Sequence, residues 1–449
     1  MTARDGLNLV VALGLLVAAT AQIALPLPLP GVPVALLLGV FVFVNRREVT
    51  RSAAVIGAIV GVLFVWSLAT GILRPSGAMA RVTFLSVLLM SLNMLSRAAS
   101  RSPDVRDAAE VVASRPRGAR YLFVTVGTHV FSIFLNFGAV SVIAALLAQS
   151  RETLVRQNAL RDLTLSMIRG FGAMPMWSPL ALSTIITLSI LPEVGYFEVL
   201  PFGLAAAGFY MTAGYIMSRR GAAPQPPSTT RAMPGRADRR VLGQVVLRVG
   251  LLVCGAIALQ QVTALTLPEA VLFAVLAFAL GWWAMQSGDP RRPGIAQEAA
   301  ASAATTVNEI VIVGGAGFIG AVISEAISRQ TGGLPVPPDA VFPLAVGLIP
   351  FVMVGAGLVA VNPIVSTSIL LGVLHPLVPE STLIWMAVAA KTGWGITAAA
   401  SPFTANVLIA GRVMGLPGGE LVRSDNLRLT LLMLAVTSLF CAAATYLSL

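Results

Sequence analysis

The chain has 449 residues, of which 57% are hydrophobic and only 11% charged, with two cysteines, two histidines and a formal net charge of +11. Mean hydropathy is +0.86. Soluble domains carry about 25% charged residues, so this balance excludes an ordinary soluble enzyme. Cys254 and Cys441 both fall in apolar runs with no pairing or metal spacing, which excludes a disulfide framework and a metal centre.

A membrane crossing takes about 20 mostly apolar residues. Such runs lie at 7–29, 53–73, 79–97, 198–217, 241–262, 265–285, 300–326 and 427–448, with a shorter one at 33–45. The first is too long for a signal peptide and lacks its small-residue cleavage site. Arginines gather between the runs, at Asn45 to Arg51, Arg97 to Arg120, Arg219 to Arg240 and Arg291-Arg292. The positive-inside rule makes these segments cytoplasmic, puts the N-terminus in the cytoplasm of an inner membrane, and leaves 74–81 and 329–340 outside. It also accounts for the net charge without nucleic acid.

Between 97 and 120 the chain reads as a basic cytoplasmic loop. From 121 to 149 an apolar stretch too long for one crossing is interrupted at Asn136-Phe-Gly138, which reads as a re-entrant hairpin with its tip near the midplane. Arg151 to Arg169 carries Leu154, Leu160, Leu163 and Met167 among charges, the pattern of an amphipathic helix along the inner interface. A span over 170–190 is then interrupted at Gly170-Phe-Gly172 and Ser178-Pro179. The Pro-rich segment inside 218–240 reads as an extended linker.

The second half opens with Glu309-Ile-Val-Ile-Val-Gly-Gly315-Ala-Gly317-Phe-Ile-Gly320, which spells a dinucleotide-binding turn. That turn needs a strand before it and a second strand after the helix. Here Leu334-Pro-Val-Pro-Pro-Asp339 occupies the second strand's place, and its three prolines suit no strand. Glycines at this spacing fit a membrane helix that lets a neighbour's backbone approach. A second interrupted stretch covers 341–378, broken at Asn362-Pro363. A second broken span covers 382–411, with Gly393-Trp-Gly395 and Ser401-Pro402.

These halves repeat. Gly170-Phe-Gly172 through Ser178-Pro179 aligns without a gap on Gly393-Trp-Gly395 through Ser401-Pro402, an offset of 223 residues. Arg120 and Arg151 bracket the first hairpin on the cytoplasmic side, whereas Asp339 and Glu380 put the mouth of the second outside. Halves of opposite topology with broken helices are the pattern of secondary transporters. Irregular backbone survives in lipid only where it faces protein or a water-filled site, so Asn136, Ser178, Asn362 and Ser401 are expected to line one midplane cavity. Half-helix N-termini at Ser178 and Ser401 suit an anion.

Lys391 is the only lysine in the sequence. It lies inside the second broken span, either to attract a substrate carboxylate, or in the place of a coupling cation, or as a snorkelling or inter-helix partner. Glu309, with Asn308 beside it, is a carboxylate inside a span, either a proton carrier or a buried scaffold link. His129, two turns before Asn136, is either proton-linked or held within packing, and Trp177 and Trp394 flank the breaks.

Two helical hairpins, each followed by a broken helix with a small polar loop, resemble the ion transporter superfamily, in particular its divalent anion/sodium symporter branch. That resemblance implies an elevator mechanism in which hairpin tips and unwound loops hold carboxylate and sodium. The branch carries Ser-Asn-Thr motifs there, and this sequence does not. Matching positions offer Asn136 and Gly138, Ser178 and Pro179, Asn362, Ser366 and Thr367, and Ser401, Pro402 and Thr404, with Lys391 and Thr392 close by.

The expected fold is therefore an all-α polytopic membrane protein of two inverted repeats. Scaffold helices and a cytoplasmic loop fill 1–120, a transport half 121–217, a linker 218–240, scaffold helices 241–340 and a second transport half 341–449. The expected activity is secondary transport of a small, carboxylate-type anion with Na+ or H+ as coupling ion, no other cofactor, no enzymatic chemistry, and a homodimer as a possible assembly. An ion channel, a cation–proton exchanger and a non-transporting subunit are the competing readings.

Overall fold

The structure, a computed structural model, describes residues 2–25, 31–71, 75–115, 117–156, 158–220, 235–286, 294–330, 338–423 and 425–449. Much of the linker, Arg291-Arg292 and 334–337 lie outside these residues. The described helices are, in chain order, α1 (Ala3–Ala24), α2 (Gly31–Val44), α3 (Arg51–Thr70), α4 (Pro75–Ser100), α5 (Pro103–Ala113), α6 (Arg117–Leu135) and α7 (Phe137–Ala148). Next come α8 (Arg151–Arg156), α9 (Leu160–Trp177), α10 (Leu182–Ile190), α11 (Tyr196–Arg220), α12 (Arg236–Val262), α13 (Leu267–Met285) and α14 (Ile295–Thr305). The last are α15 (Val307–Gln330), α16 (Val341–Leu358), α17 (Pro363–Leu374), α18 (Leu383–Ala400), α19 (Ala405–Met414), α20 (Gly418–Arg423) and α21 (Asp425–Ser448). No strand occurs among the described residues. Among the described residues, ten segments are long and apolar enough to cross a membrane. The chain is an all-helical polytopic membrane protein.

The chain divides into two compact units. The first comprises 1–98, 255–336 and 368–377, and so holds α1 to α4 and α13 to α15. Its glycine run is helical: Gly315 and its neighbours lie inside α15 rather than in a phosphate-binding turn. A methyl added at Gly314 would meet Val82 of α4 at 2.8 Å, and one at Gly315 would meet Ile56 of α3 at 2.7 Å. Lipid is as apolar as a side chain, so such close packing is what holds membrane helices together. The span read over 300–326 is bent by 56° between α14 and α15. Asn308 beside the bend accepts from Thr50 N and donates to Glu48 O, both at 2.8 Å, which ties the 45–50 turn to α15. A buried Glu298 pairs with Arg97, and the Asn8 and Asn45 amides bond to each other.

The second unit comprises 99–254, 337–367 and 378–449. At its centre α9 and α18 are buried along almost their whole length. The expected interfacial helix over Arg151–Arg169 does not form as one piece. The short α8 ends before Asn158, which has φ 53°, and from Leu160 onward the chain is already α9, buried in the unit. Leu154 is buried in α8, and Leu160 and Leu163 are instead in the first turn of a helix that is buried on all sides from Leu163 onward.

Candidate functional site

The repeat motifs separate into two jobs. Gly170-Phe-Gly172 and Gly393-Trp-Gly395 do not interrupt their helices; both lie inside them. The breaks fall only at Ser178-Pro179 and Ser401-Pro402, where proline withholds a donor and stops the helix. The glycines serve contact: a methyl on Gly172 would meet the Gly395 carbonyl oxygen at 2.9 Å, and one on Gly395 would strike the Gly172 carbonyl oxygen. Equivalent residues of the two halves thus pack reciprocally.

The two helices run antiparallel, because Gly172 faces Ala399 while Gly395 faces Met176. Each helix breaks six residues beyond the contact. At about 1.5 Å per residue, the breaks lie roughly 18 Å apart, on opposite sides of the crossing. Ser178 and Ser401 therefore stand on opposite sides of that crossing.

Each break is tied by the same bond. Ser183 Oγ donates to Pro175 O at 2.5 Å, and Asn406 Nδ2 donates to Ala398 O at 2.9 Å, both pairs separated by the repeat offset. Thr184 donates to Ser178 O, and Thr404 donates to both Ser401 O and Ala398 O. These side chains satisfy carbonyls left over by the preceding helix; α10 has alanine, Ala181, at its N-cap, and the N-cap Thr404 of α19 donates backwards, so neither helix has a side-chain N-cap. Their first-turn N–H groups stay available to a ligand.

The interrupted stretches lie along these helices. On α6, Thr125 and Thr128 face Gly170, and Phe137 beside Asn136 stacks on Phe171 at 5.2 Å. Asn136 is the single residue between α6 and α7 and has φ 50° and ψ −127°, outside the left-handed helical region that asparagine tolerates, so this turn is strained. Gly138 is in the first turn of α7, which at 12 residues is about 18 Å long and short of a crossing. On α16, Pro350 and Met353 face Gly393, and Gly357 faces Thr397 and Ser401. Ser401 Oγ donates to Gly357 O at 2.6 Å and accepts from Phe403 N at 3.1 Å. Asn362 is exposed and accepts from Ile364 N at 2.9 Å, so it caps α17. Ser366 donates to Pro363 O, and Thr367 lies 4.0 Å from Met353 Sδ.

At the first break, and on α10 and α18 beside it, polar atoms are left over. Ser178 Oγ, Thr187 Oγ1, Lys391 Nζ and Thr392 Oγ1 are buried without a hydrogen-bond partner. Lys391 lies on the same side of the crossing as Ser178, about 3 Å from it in height. Tyr196 joins the two: its hydroxyl donates to Trp177 O at 3.1 Å, and Lys391 Nζ stands 5.5 Å over its ring. Thr392 also lines a cleft of about 210 Å³ between α11, α18 and α21, with Phe202, Phe209, Val388 and Phe440.

His129 is fully engaged. Trp177 Nε1 can only donate, and does so to His129 Nε2 at 3.1 Å, while Gly170 O can only accept, and lies 3.1 Å from Nδ1. Those partners fix the neutral Nδ1–H tautomer. Trp177 thus flanks its break, whereas Trp394 lies seven residues before Ser401, inside α18. Glu309 belongs to the other unit, in the first turn of α15, where the helix dipole favours a carboxylate.

Sequence reading missed Arg169, taken there as the end of a surface segment. It is 1% exposed in the middle of α9. Nε donates to Asn426 Oδ1 at 3.2 Å, and Nη1 donates to Tyr121 Oη at 2.8 Å and Gly214 O at 3.1 Å, while Nη2 has no partner. All three acceptors are neutral. The available signal was its position: a cation precedes the Gly-x-Gly motif in each half, Arg169 by one residue and Lys391 by two.

The fold is similar to that of the YdaH transporter of Alcanivorax borkumensis, at a TM-score of 0.50 and 16% identity, over 91% of this chain and 98% of that one. A second solved structure, Neisseria gonorrhoeae MtrF, from a class of antimetabolite efflux pumps, gives a TM-score of 0.47 and 15% identity over 80% of each chain. No protein-family model and no curated protein matches the chain.

Proposed function

We propose that the chain is a secondary active transporter of a small carboxylate-type anion, working in an inner membrane with Na+ or H+ as coupling ion. One observation carries the reading. A buried lysine with no hydrogen-bond partner, an uncapped helix N-terminus and the unpartnered Ser178 hydroxyl lie on the elements that meet beside the break of α9, with Tyr196 touching both Trp177 and Lys391. All of these favour negative charge, and a buried cation is costly until something compensates it. Ser178, Thr392 and Lys391 are the groups assigned to the anion, with Pro179 freeing the backbone between them. Asn136, Asn362, Ser366, Thr367, Pro402 and Thr404 shape the tips and the second break.

Antiparallel crossing of α9 and α18 at equivalent glycines supports inverted repeats related by an approximate two-fold axis. The two-unit division supports an elevator, in which the second unit, carrying both breaks, moves its cargo as one body. The fold likeness to the YdaH transporter agrees with transport as the general activity.

Counterflow in proteoliposomes loaded with benzoate, succinate or citrate tests the assignment. Saturable exchange of at least one of these is expected, lowered tenfold or more by Lys391→Met with insertion unchanged. Net flux without exchange would make the protein a channel, and no flux of any of the three would end the carrier reading.

A further inference from the structure

We propose that Lys391 is the coupling group, taking up a proton together with the anion, so that cargo crosses as an anion–proton pair without sodium. This rests on the anion-carrier reading. Its evidence is the contrast between two buried cations on one helix pair. Arginine keeps its proton under any condition met in a protein, and Arg169 is given three neutral oxygens. Lysine can release its proton, and Lys391, equally buried, is given no hydrogen-bond acceptor, only the face of the Tyr196 ring at 5.5 Å. A permanently charged ammonium would need comparable solvation, because burying an uncompensated ion costs several kcal/mol.

Among the described residues, the nearby titratable groups other than Tyr196 are engaged or turned elsewhere: His129 of α6 is bonded to Trp177 and Gly170, Tyr210 of α11 faces Gly172 at the crossing, and Tyr446 of α21 is exposed. Tyr196, at the start of α11, is the titratable group that faces Lys391. α10 and α16 carry no titratable residue. On α9, Asp162, Arg161 and Arg169 lie beyond the crossing, and on α21, Asp425 and Arg428 lie toward that same end, near Asn426, which donates to Ala399 O. Cys441 follows Phe440, which packs on Trp385, more than a turn and a half of α18 from Lys391. Glu198 of α11, Glu380 of the turn before α18 and Arg412 of α19 are exposed.

The step balances simply. In the empty site the amine is neutral. An anion and a proton from water enter, the proton adds to Nζ, and the ammonium–carboxylate pair is neutral overall for a monocarboxylate. On the far side the anion leaves and the proton returns to water. Attraction within a low-dielectric site makes each binding event favour the other.

Calorimetry on the purified protein, titrated with benzoate, succinate and citrate in buffers of different ionisation enthalpy, counts the protons directly. Uptake approaching one proton per anion is expected, with affinity weakening about tenfold per pH unit as pH rises. Replacing sodium by choline should change neither. Lys391→Arg, which keeps the charge, should bind with no proton uptake and a flat pH profile, and Lys391→Met should bind at least tenfold more weakly. Binding to the wild type without proton uptake, or uptake undiminished in Lys391→Arg, would overturn the coupling role and leave the carrier standing. If none of the three anions binds or exchanges, the carrier reading falls and this inference with it. The wild-type proton count decides the matter even where a variant fails to fold.

Discussion

Ser178 and Ser401 occupy equivalent positions and meet different fates. The Ser401 hydroxyl is bound to Gly357 O and Phe403 N, whereas that of Ser178 has no partner. Ser401→Ala should therefore lower stability by about 1 kcal/mol, the usual net worth of a buried hydrogen bond. Ser178→Ala removes an orphaned hydroxyl, so its thermal midpoint should hold or rise while anion uptake falls. Thermal unfolding in detergent beside vesicle uptake separates the two, and equal loss of stability in both variants would contradict the difference in bonding. Arg169 acts through structure, joining α9 to Tyr121, Gly214 and Asn426. Arg169→Met should cost about 3 kcal/mol or more, since hydrogen bonds from a charged donor are worth about 1.5–3 each. Lysine at this position should rescue little, because its ammonium lacks the planar fork that reaches three acceptors.

At the scale of elements, the informative contact is the crossing of α9 and α18. Gly395→Val places carbon against the Gly172 carbonyl and should cost about 1–3 kcal/mol by overpacking. Gly250→Ala is the matched control: an added methyl there meets nothing within 4 Å, so stability should hold or improve. If the two substitutions have similar effects, the close crossing is not what holds the unit together. The recurrence of one short motif at a fixed offset was legible in the sequence. That its glycines join two helices rather than break them was not legible. Glycine serves both purposes, and only the neighbour it faces distinguishes them.

For the whole molecule, an elevator requires the second unit to move without internal rearrangement. Gly347 of α16 faces Ala442 of α21, with 3.0 Å between an added methyl and the alanine Cβ, so cysteines at both need part only slightly to form a disulfide. In a background lacking Cys254 and Cys441, that cross-link should leave anion counterflow within about twofold of the reduced protein. Loss of counterflow on oxidation, restored by reductant, would show that these helices must slide against each other and would exclude rigid-body carriage.

Hydropathy, charge placement and proline positions determined by themselves that this chain is a helical membrane protein with two broken helices that carry the same short motif. Each of these follows from the residues of one segment and the cost of polar backbone in lipid. Tertiary structure alone decided that the breaks stand apart, that Ser401 is satisfied and Ser178 is not, and that Lys391 lacks the acceptors given to Arg169. Such facts depend on which atoms lie opposite a side chain across a helix crossing, and those atoms come from positions hundreds of residues away.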